Sequence, residues 1–159
     1  MELSIMVAMT RDHVMGKGSS LPWRIPEDTR LFMESTKGTV VIMGKNTWLS
    51  LPPKSRPLPD RINIIVSSTL QQQSGALVCA TTEEALKLAA TYNKKVYCIG
   101  GAQLYAAMLP LTKFLQVSWV KKPYSGDIFF PKIDFSQWKE IETKEFEQFT
   151  YKKYERVRS

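Results

Sequence analysis

The sequence predicts an α/β protein: a mainly parallel eight-stranded sheet with one antiparallel C-terminal edge strand and about four helices on both faces. Two observations lead there. Short apolar runs alternate with helix-like segments across short connections, the pattern of a sheet with covering helices. Several of those runs are apolar at every position, as in strands of a parallel sheet buried on both faces.

Taken in order, Leu3–Met9 is the first strand, and Pro26–Thr36 the first helix. Pro26 suits a first helical position, because its missing N–H has no partner there and its φ is already helical. Thr39–Met43 is a strand, Lys45–Ser50 a short helix, and Ile62–Val66 and Ala76–Cys79 two further strands. Thr82–Ala90 is a helix with a capping box, Thr81 as N-cap and Glu84 as its reciprocal partner. Val96–Ile99 is a strand, Ala102–Leu109 a helix and Phe114–Val120 a strand. After Pro131 the alternation becomes imperfect, and Ile141–Phe149 with Thr150–Val157 reads as an antiparallel hairpin at the sheet edge. There is no repeat, low-complexity tract or interior linker, so residues 1–159 are expected to form one domain.

Composition narrows the function. The chain is 43% hydrophobic and 23% charged, ordinary for a globular protein. No apolar run reaches bilayer length, and Met1–Met9 lacks a basic leader and a cleavage site. Cys79 and Cys98 form no CxxC, so buried free thiols in a reducing, cytoplasmic setting are expected. The single histidine, His13, argues against a His-based triad and against most zinc sites, so no metal is expected. The net charge of +7 is spread along the chain apart from a C-terminal cluster of Lys152, Lys153, Arg156 and Arg158. No nucleic-acid-binding motif accompanies it. A solvated basic surface that steers a polyanionic substrate and cofactor is the better reading.

The segment Leu21-Pro22-Trp23-Arg24-Ile25-Pro26-Glu27-Asp28 carries the sharpest signal. Asp28 stands in the first turn of the helix and begins a stripe continued by Leu31, Phe32 and Ser35. It is either a first-turn acid favoured by the helix dipole or a carboxylate facing a pocket, where burial needs a partner with N–H donors. Strand ends supply the second signal, because ligands of such sheets bind outside the carboxyl ends of the strands. Gly44-Lys45-Asn46-Thr47 and Gly100-Gly101-Ala102 each follow a strand and open a helix, and Ser67-Ser68 follows another strand. Each is a turn on the ordinary reading. Together they offer backbone N–H groups, a cation and hydroxyls suited to phosphates.

The chain resembles the dihydrofolate reductase family over essentially its whole length. The matching segments are Ser4–Met9, Val14-Met15-Gly16 running to Leu21-Pro22-Trp23, Asp28 to Phe32, and Val41–Trp48. They continue through Arg56–Asn63, Ser67-Ser68, Ile99-Gly100-Gly101 with Tyr105, Gly126-Asp127 and Phe130-Pro131. The resemblance implies reduction of 7,8-dihydrofolate to tetrahydrofolate with NADPH, by hydride transfer to C6 and protonation of N5. It implies that Asp28 pairs with the pterin 2-amino group and N3, and that Trp23 holds a water near it, beside any packing role. It implies a substrate cleft lined by Leu31, Phe32, Leu51 and Leu58, with backbone contacts from Met6 and Val7 and a hydroxyl from Ser118. Arg61, otherwise a solvated loop charge, would clamp the glutamate α-carboxylate with its planar fork.

On the cofactor side the resemblance implies Ala8, Met15, Gly44, Lys45, Asn46, Thr47, Ser67 and Ser68. The turn Gly100, Gly101, Ala102, Gln103 and Leu104 joins them, with Tyr105 near the nicotinamide and the Gly100–Gly101 bond cis. Gly18 and Ser19 would belong to a loop, Thr10 to Trp23, that closes over the nicotinamide. Lys45 with Ser68 suits a 2′-phosphate, hence NADP. The implied partners are dihydrofolate and antifolate inhibitors, with no nucleic acid or membrane, and the implied state is a monomer. Thr29, Leu31 and Gln103 depart from common family residues. The rival readings are a same-fold pyrimidine reductase of riboflavin synthesis, which would not need Asp28 and Arg61 in these roles, and a basic nucleic-acid-binding module.

Overall fold

The computed structural model describes residues 1–16 and 21–157. Among them the strands are β1 (Leu3–Thr10), β2 (Val14–Gly16), β3 (Val40–Gly44), β4 (Ile62–Val66), β5 (Ala76–Cys79), β6 (Val96–Cys98), β7 (Phe114–Val120), β8 (Ile128–Phe129), β9 (Trp138–Glu145) and β10 (Phe149–Arg156). The helices are α1 (Pro26–Thr36), α2 (Lys45–Ser50), α3 (Thr82–Ala90) and α4 (Ala102–Met108). Eight strands form one sheet in the order β5-β4-β3-β6-β1-β7-β10-β9. Every pair from β5 to β7 is parallel, and β10 runs against β7 with β9 closing the hairpin outside it.

Alternation along the central strands assigns the two faces. Ile5, Val7 and Met9 of β1 pack in the large cluster with Ala85 and Ala89 of α3 and Leu104, Tyr105 and Met108 of α4. Met6 points the other way, into a cluster with Trp48 of α2 and the half-buried Leu31, Phe32 and Met33 of α1. The helices therefore cover both faces.

Thr81 caps α3, its hydroxyl accepting from the Glu84 N–H at 3.1 Å, while the Glu84 carboxylate reaches one residue further back than expected, to the Ala80 N–H at 3.1 Å. The C-terminal hairpin begins earlier than the sequence suggests. Trp138 is buried and starts β9, whereas Ile141 is 43% exposed, so apolar character misplaced the strand start. β10 pairs with β7 without interruption, so Tyr151 and Tyr154, three residues apart, face opposite sides and join different clusters, while β9 carries one extra residue, Ile141, opposite the step from Lys153 to Tyr154, and that bulge breaks the alternation. Val14–Gly16, expected within a loop, is instead a buried strand pairing with β8 in a second, two-stranded sheet. Among the described residues no helix is long and apolar enough to cross a membrane, and Cys79 and Cys98 are free thiols, Cys98 buried as expected and Cys79, at the end of β5, only half-buried.

Candidate active site

The site begins with α1. Its N-cap, Ile25, makes no side-chain cap, and Pro26, Glu27 and Asp28 fill the first turn. Gln116, Ser118 and Val120 share one face of β7 by the two-residue period of a strand. Ser118 stands opposite Ala8 of β1 and Tyr151 of β10. Its hydroxyl donates to Asp28 Oδ1 at 2.5 Å, across 90 residues of sequence. Burial pushes the Asp28 carboxyl above its ordinary range, and the Ser118 hydrogen bond opposes that shift without cancelling it. An exposed acid under the helix dipole alone would shift the other way.

Trp23 is buried with Ile25, Val120, Phe149 and Tyr151, its ring centroid 5.4 Å from that of Tyr124. Leu31, Phe32 and Leu51, all half-buried, and buried Leu58 and Met6 line the adjoining apolar cluster. Ile99 belongs to the same cluster. It was missed as a wall residue, although the period of two along Val96–Ile99 places it with Tyr97. Val7 turns its side chain to the opposite face, leaving only its backbone for the α1 side.

Arg61 precedes β4 at the far end of α1. Its Nε donates to Thr36 Oγ1 at 2.7 Å, and its two terminal nitrogens donate to Pro59 O and Met33 O. Asn63 fixes the preceding turn, exchanging two 3.0 Å hydrogen bonds with the Leu58 backbone. Burial lowers the Arg61 pKa while Asp60 raises it. Neither Thr36 nor Asn63 was singled out from sequence.

The glycine turns converge. Gly44 N–H donates to Gly100 O at 2.8 Å, which sets the start of α2 beside the start of α4. Neither N-cap, Gly44 or Gly101, makes a side-chain cap, so the first-turn N–H groups have no capping acceptor. The Gly100–Gly101 bond is cis, as expected. Gly100 has φ +102°, and a Cβ there would lie 2.9 Å from the Tyr105 ring, so only glycine fits. Lys45 Nζ reaches Thr69 Oγ1 at 3.3 Å, and Ser67 Oγ accepts from the Thr69 and Leu70 N–H groups. Thr69 was not singled out. Asn46, Ser68 and Gln103 are exposed, Thr47 and Ala102 half-buried, and Leu104 buried. Met15 packs in the large cluster and Ala8 is half-buried beside Trp23. Gly18 and Ser19 lie outside the described residues, as does Arg158.

Tyr105 joins the two halves. Its hydroxyl donates to Met6 O at 2.8 Å, and its ring centroid lies 5.0 Å from that of Phe130. Burial raises its pKa well above the ordinary tyrosine value, and the Asp28 charge pushes the same way, so the phenol stays neutral. A carboxylate, an apolar cluster and a guanidinium thus lie along α1.

The family model for dihydrofolate reductase matches residues 2–158. The chain belongs to the dihydrofolate reductase family. The dihydrofolate reductase of Neisseria meningitidis serogroup A is 40% identical over 146 residues, 91% of this chain and 88% of that protein. That of Haemophilus influenzae is 34% identical over 92% of this chain and 88% of its own length. The dihydrofolate reductase from Enterococcus faecalis, solved as a complex with NADP(H) and RAB-propyl, superposes with a TM-score of 0.88 at 30% identity, covering 99% of this chain and 97% of that one. The likeness to dihydrofolate reductases therefore takes in the whole sheet and both helix layers.

Proposed function

We propose that the protein catalyses the NADPH-dependent reduction of 7,8-dihydrofolate to 5,6,7,8-tetrahydrofolate. It does so as one domain over residues 1–159, a cytoplasmic monomer without nucleic-acid partners. The observation that carries this reading is Asp28, a carboxylate on an apolar helix stripe, held by Ser118 and shifted upward by burial.

The residues present fit NADPH. The backbones at Gly44 and Gly100 meet in the hydrogen bond from Gly44 N–H to Gly100 O at 2.8 Å. Two uncapped helix starts there suit a pyrophosphate. Lys45 and the hydroxyls of Thr47, Ser67 and Ser68 suit the adenosine 2′-phosphate, and with exposed Gln103 in place of a base Lys45 carries that charge. NADPH, when bound, supplies the hydride that reaches C6.

The chain's own residues do the rest. Asp28 offers two coplanar acceptors to the pterin 2-amino group and N3. Its negative charge in an apolar wall stabilises a protonated pterin, which favours gain of the N5 proton. Ser118 fixes the carboxylate plane. Trp23 closes the cleft beside Asp28 and presents its indole N–H to a water. Leu31, Phe32, Leu51, Leu58 and Ile99 hold the ring system and exclude water, while Met6 and Val7 offer backbone groups. Tyr105, tied to Met6 O, walls the side toward Gly100 and Gly101. Arg61 takes the glutamate α-carboxylate, and antifolates that mimic the pterin occupy the same cleft.

The test is the loss of NADPH absorbance with purified protein and dihydrofolate. Rapid oxidation, weak with NADH and lost in Asp28→Asn, is the expected result. No oxidation by folded protein would reject the reading.

A further inference from the structure

We propose that Thr36 is a positioning residue that orients Arg61 for the substrate carboxylate. The inference rests on the reading of Arg61 given above.

Thr36 is fully buried in the last turn of α1. Its hydroxyl has one proton, and that proton is given to Phe32 O at 2.8 Å. The oxygen must then present a lone pair elsewhere, and Arg61 Nε donates to it at 2.7 Å. The helix backbone therefore sets the direction of the hydroxyl, and the hydroxyl sets the guanidinium. Met33 O, near the C-terminal end of α1, accepts from a terminal nitrogen of the same guanidinium. The cation also suits the negative end of the helix. Pro59 O accepts from the other terminal nitrogen.

A guanidinium has five N–H groups. Three are engaged by protein acceptors, leaving one on each terminal nitrogen. That is the pair a carboxylate bridges. An arginine in a loop would otherwise sample many rotamers, and Thr36 with Met33 O removes that freedom before substrate arrives.

The experiment compares dihydrofolate with a dihydropterin lacking the p-aminobenzoylglutamate tail, in the parent, Thr36→Val, Thr36→Ser and Arg61→Leu. Thr36→Val keeps the shape and removes the hydroxyl. It should raise KM for dihydrofolate about fivefold with kcat within about twofold, the mark of lost uniform binding. KM for the tail-less substrate should not move, and Thr36→Ser should restore the parent value. Arg61→Leu should raise KM for dihydrofolate by more, about thirtyfold, with the same selectivity. If Thr36→Val leaves the dihydrofolate KM unchanged, or raises both KM values together, while Arg61→Leu stays selective, the positioning role is overturned alone. If Arg61→Leu itself leaves the dihydrofolate KM unchanged, the assignment of Arg61 fails and takes the inference with it. Thermal unfolding of each variant identifies a KM change that comes from misfolding.

Discussion

Asp28→Asn separates what the carboxylate does for chemistry from what it costs the fold. The substitution keeps the shape of the side chain and an acceptor for Ser118, and removes the charge. In the folded protein burial raises the Asp28 pKa, whereas in the unfolded chain the group titrates as an ordinary carboxylate. The folded state therefore holds the proton to higher pH. Stability falls as pH rises from the unfolded pKa through the folded one. The Asn variant should accordingly be more stable than the parent at pH 7, by about 1 kcal/mol, the scale of a single stabilising change at a site where function and stability conflict. For a chain of 159 residues that is a rise in Tm of about 2–4 °C. The advantage should shrink as pH drops through the carboxylate range, where Asp28 becomes protonated in both states. Turnover at pH 7 should fall by about 10²–10⁴, the usual share of a positioned acid–base group. Thermal unfolding across pH and steady-state turnover read the two effects. An Asn variant no more stable than the parent at pH 7, or a stability difference independent of pH, would refute the argument from burial.

Tyr105→Phe removes the donor to Met6 O at 2.8 Å inside the core, and should cost about 1–2 kcal/mol in chemical denaturation. Gly126→Ala would place a Cβ 2.3 Å from Gly16 O and 2.6 Å from Val14 Cγ1. It should cost about 1–3 kcal/mol and accelerate hydrogen exchange at the Asp127 amide, which donates to Gly16 O at 3.2 Å. At the outer edge of β5 the Gln72 side chain accepts from Val78 N–H at 3.1 Å and donates to Val78 O at 3.0 Å, as a paired strand would. Gln72→Ala should speed exchange at the Val78 amide and produce self-association in light scattering as concentration rises, because an uncovered edge is a template for strand pairing.

What the sequence revealed and what it hid divide along a physical line. The helix bounds of Pro26–Thr36, Lys45–Ser50 and Thr82–Ala90 coincide with α1, α2 and α3, and the strand bounds of Ile62–Val66, Ala76–Cys79 and Phe114–Val120 with β4, β5 and β7. Caps, prolines and apolar runs are local, so local reading finds them. The convergence of the Gly44 and Gly100 turns was legible too, because a parallel sheet sends every such turn to one edge. The β9–β10 register was not, because a bulge and an exposed Ile141 break the period of two. Val14–Gly16 was not, because a three-residue strand carries no periodicity to read. The bond from Ser118 to Asp28 spans 90 residues and that from Arg61 to Thr36 spans 25. A hydrophobic period says which face a residue occupies, and never which residue of another element meets it there. Asp28 could be seen on an apolar stripe, and family resemblance could assign it a ligand. Yet resemblance offered the Ser118 hydroxyl only to the pterin, and its bond to Asp28, like that of Thr36 to the guanidinium at the other end of α1, follows only from strand order and helix length acting together. In a fold of this kind the groups that touch the ligand announce themselves by their chemistry. The buried hydroxyls that aim them do not, because a threonine in the last turn of a helix looks in sequence like any other.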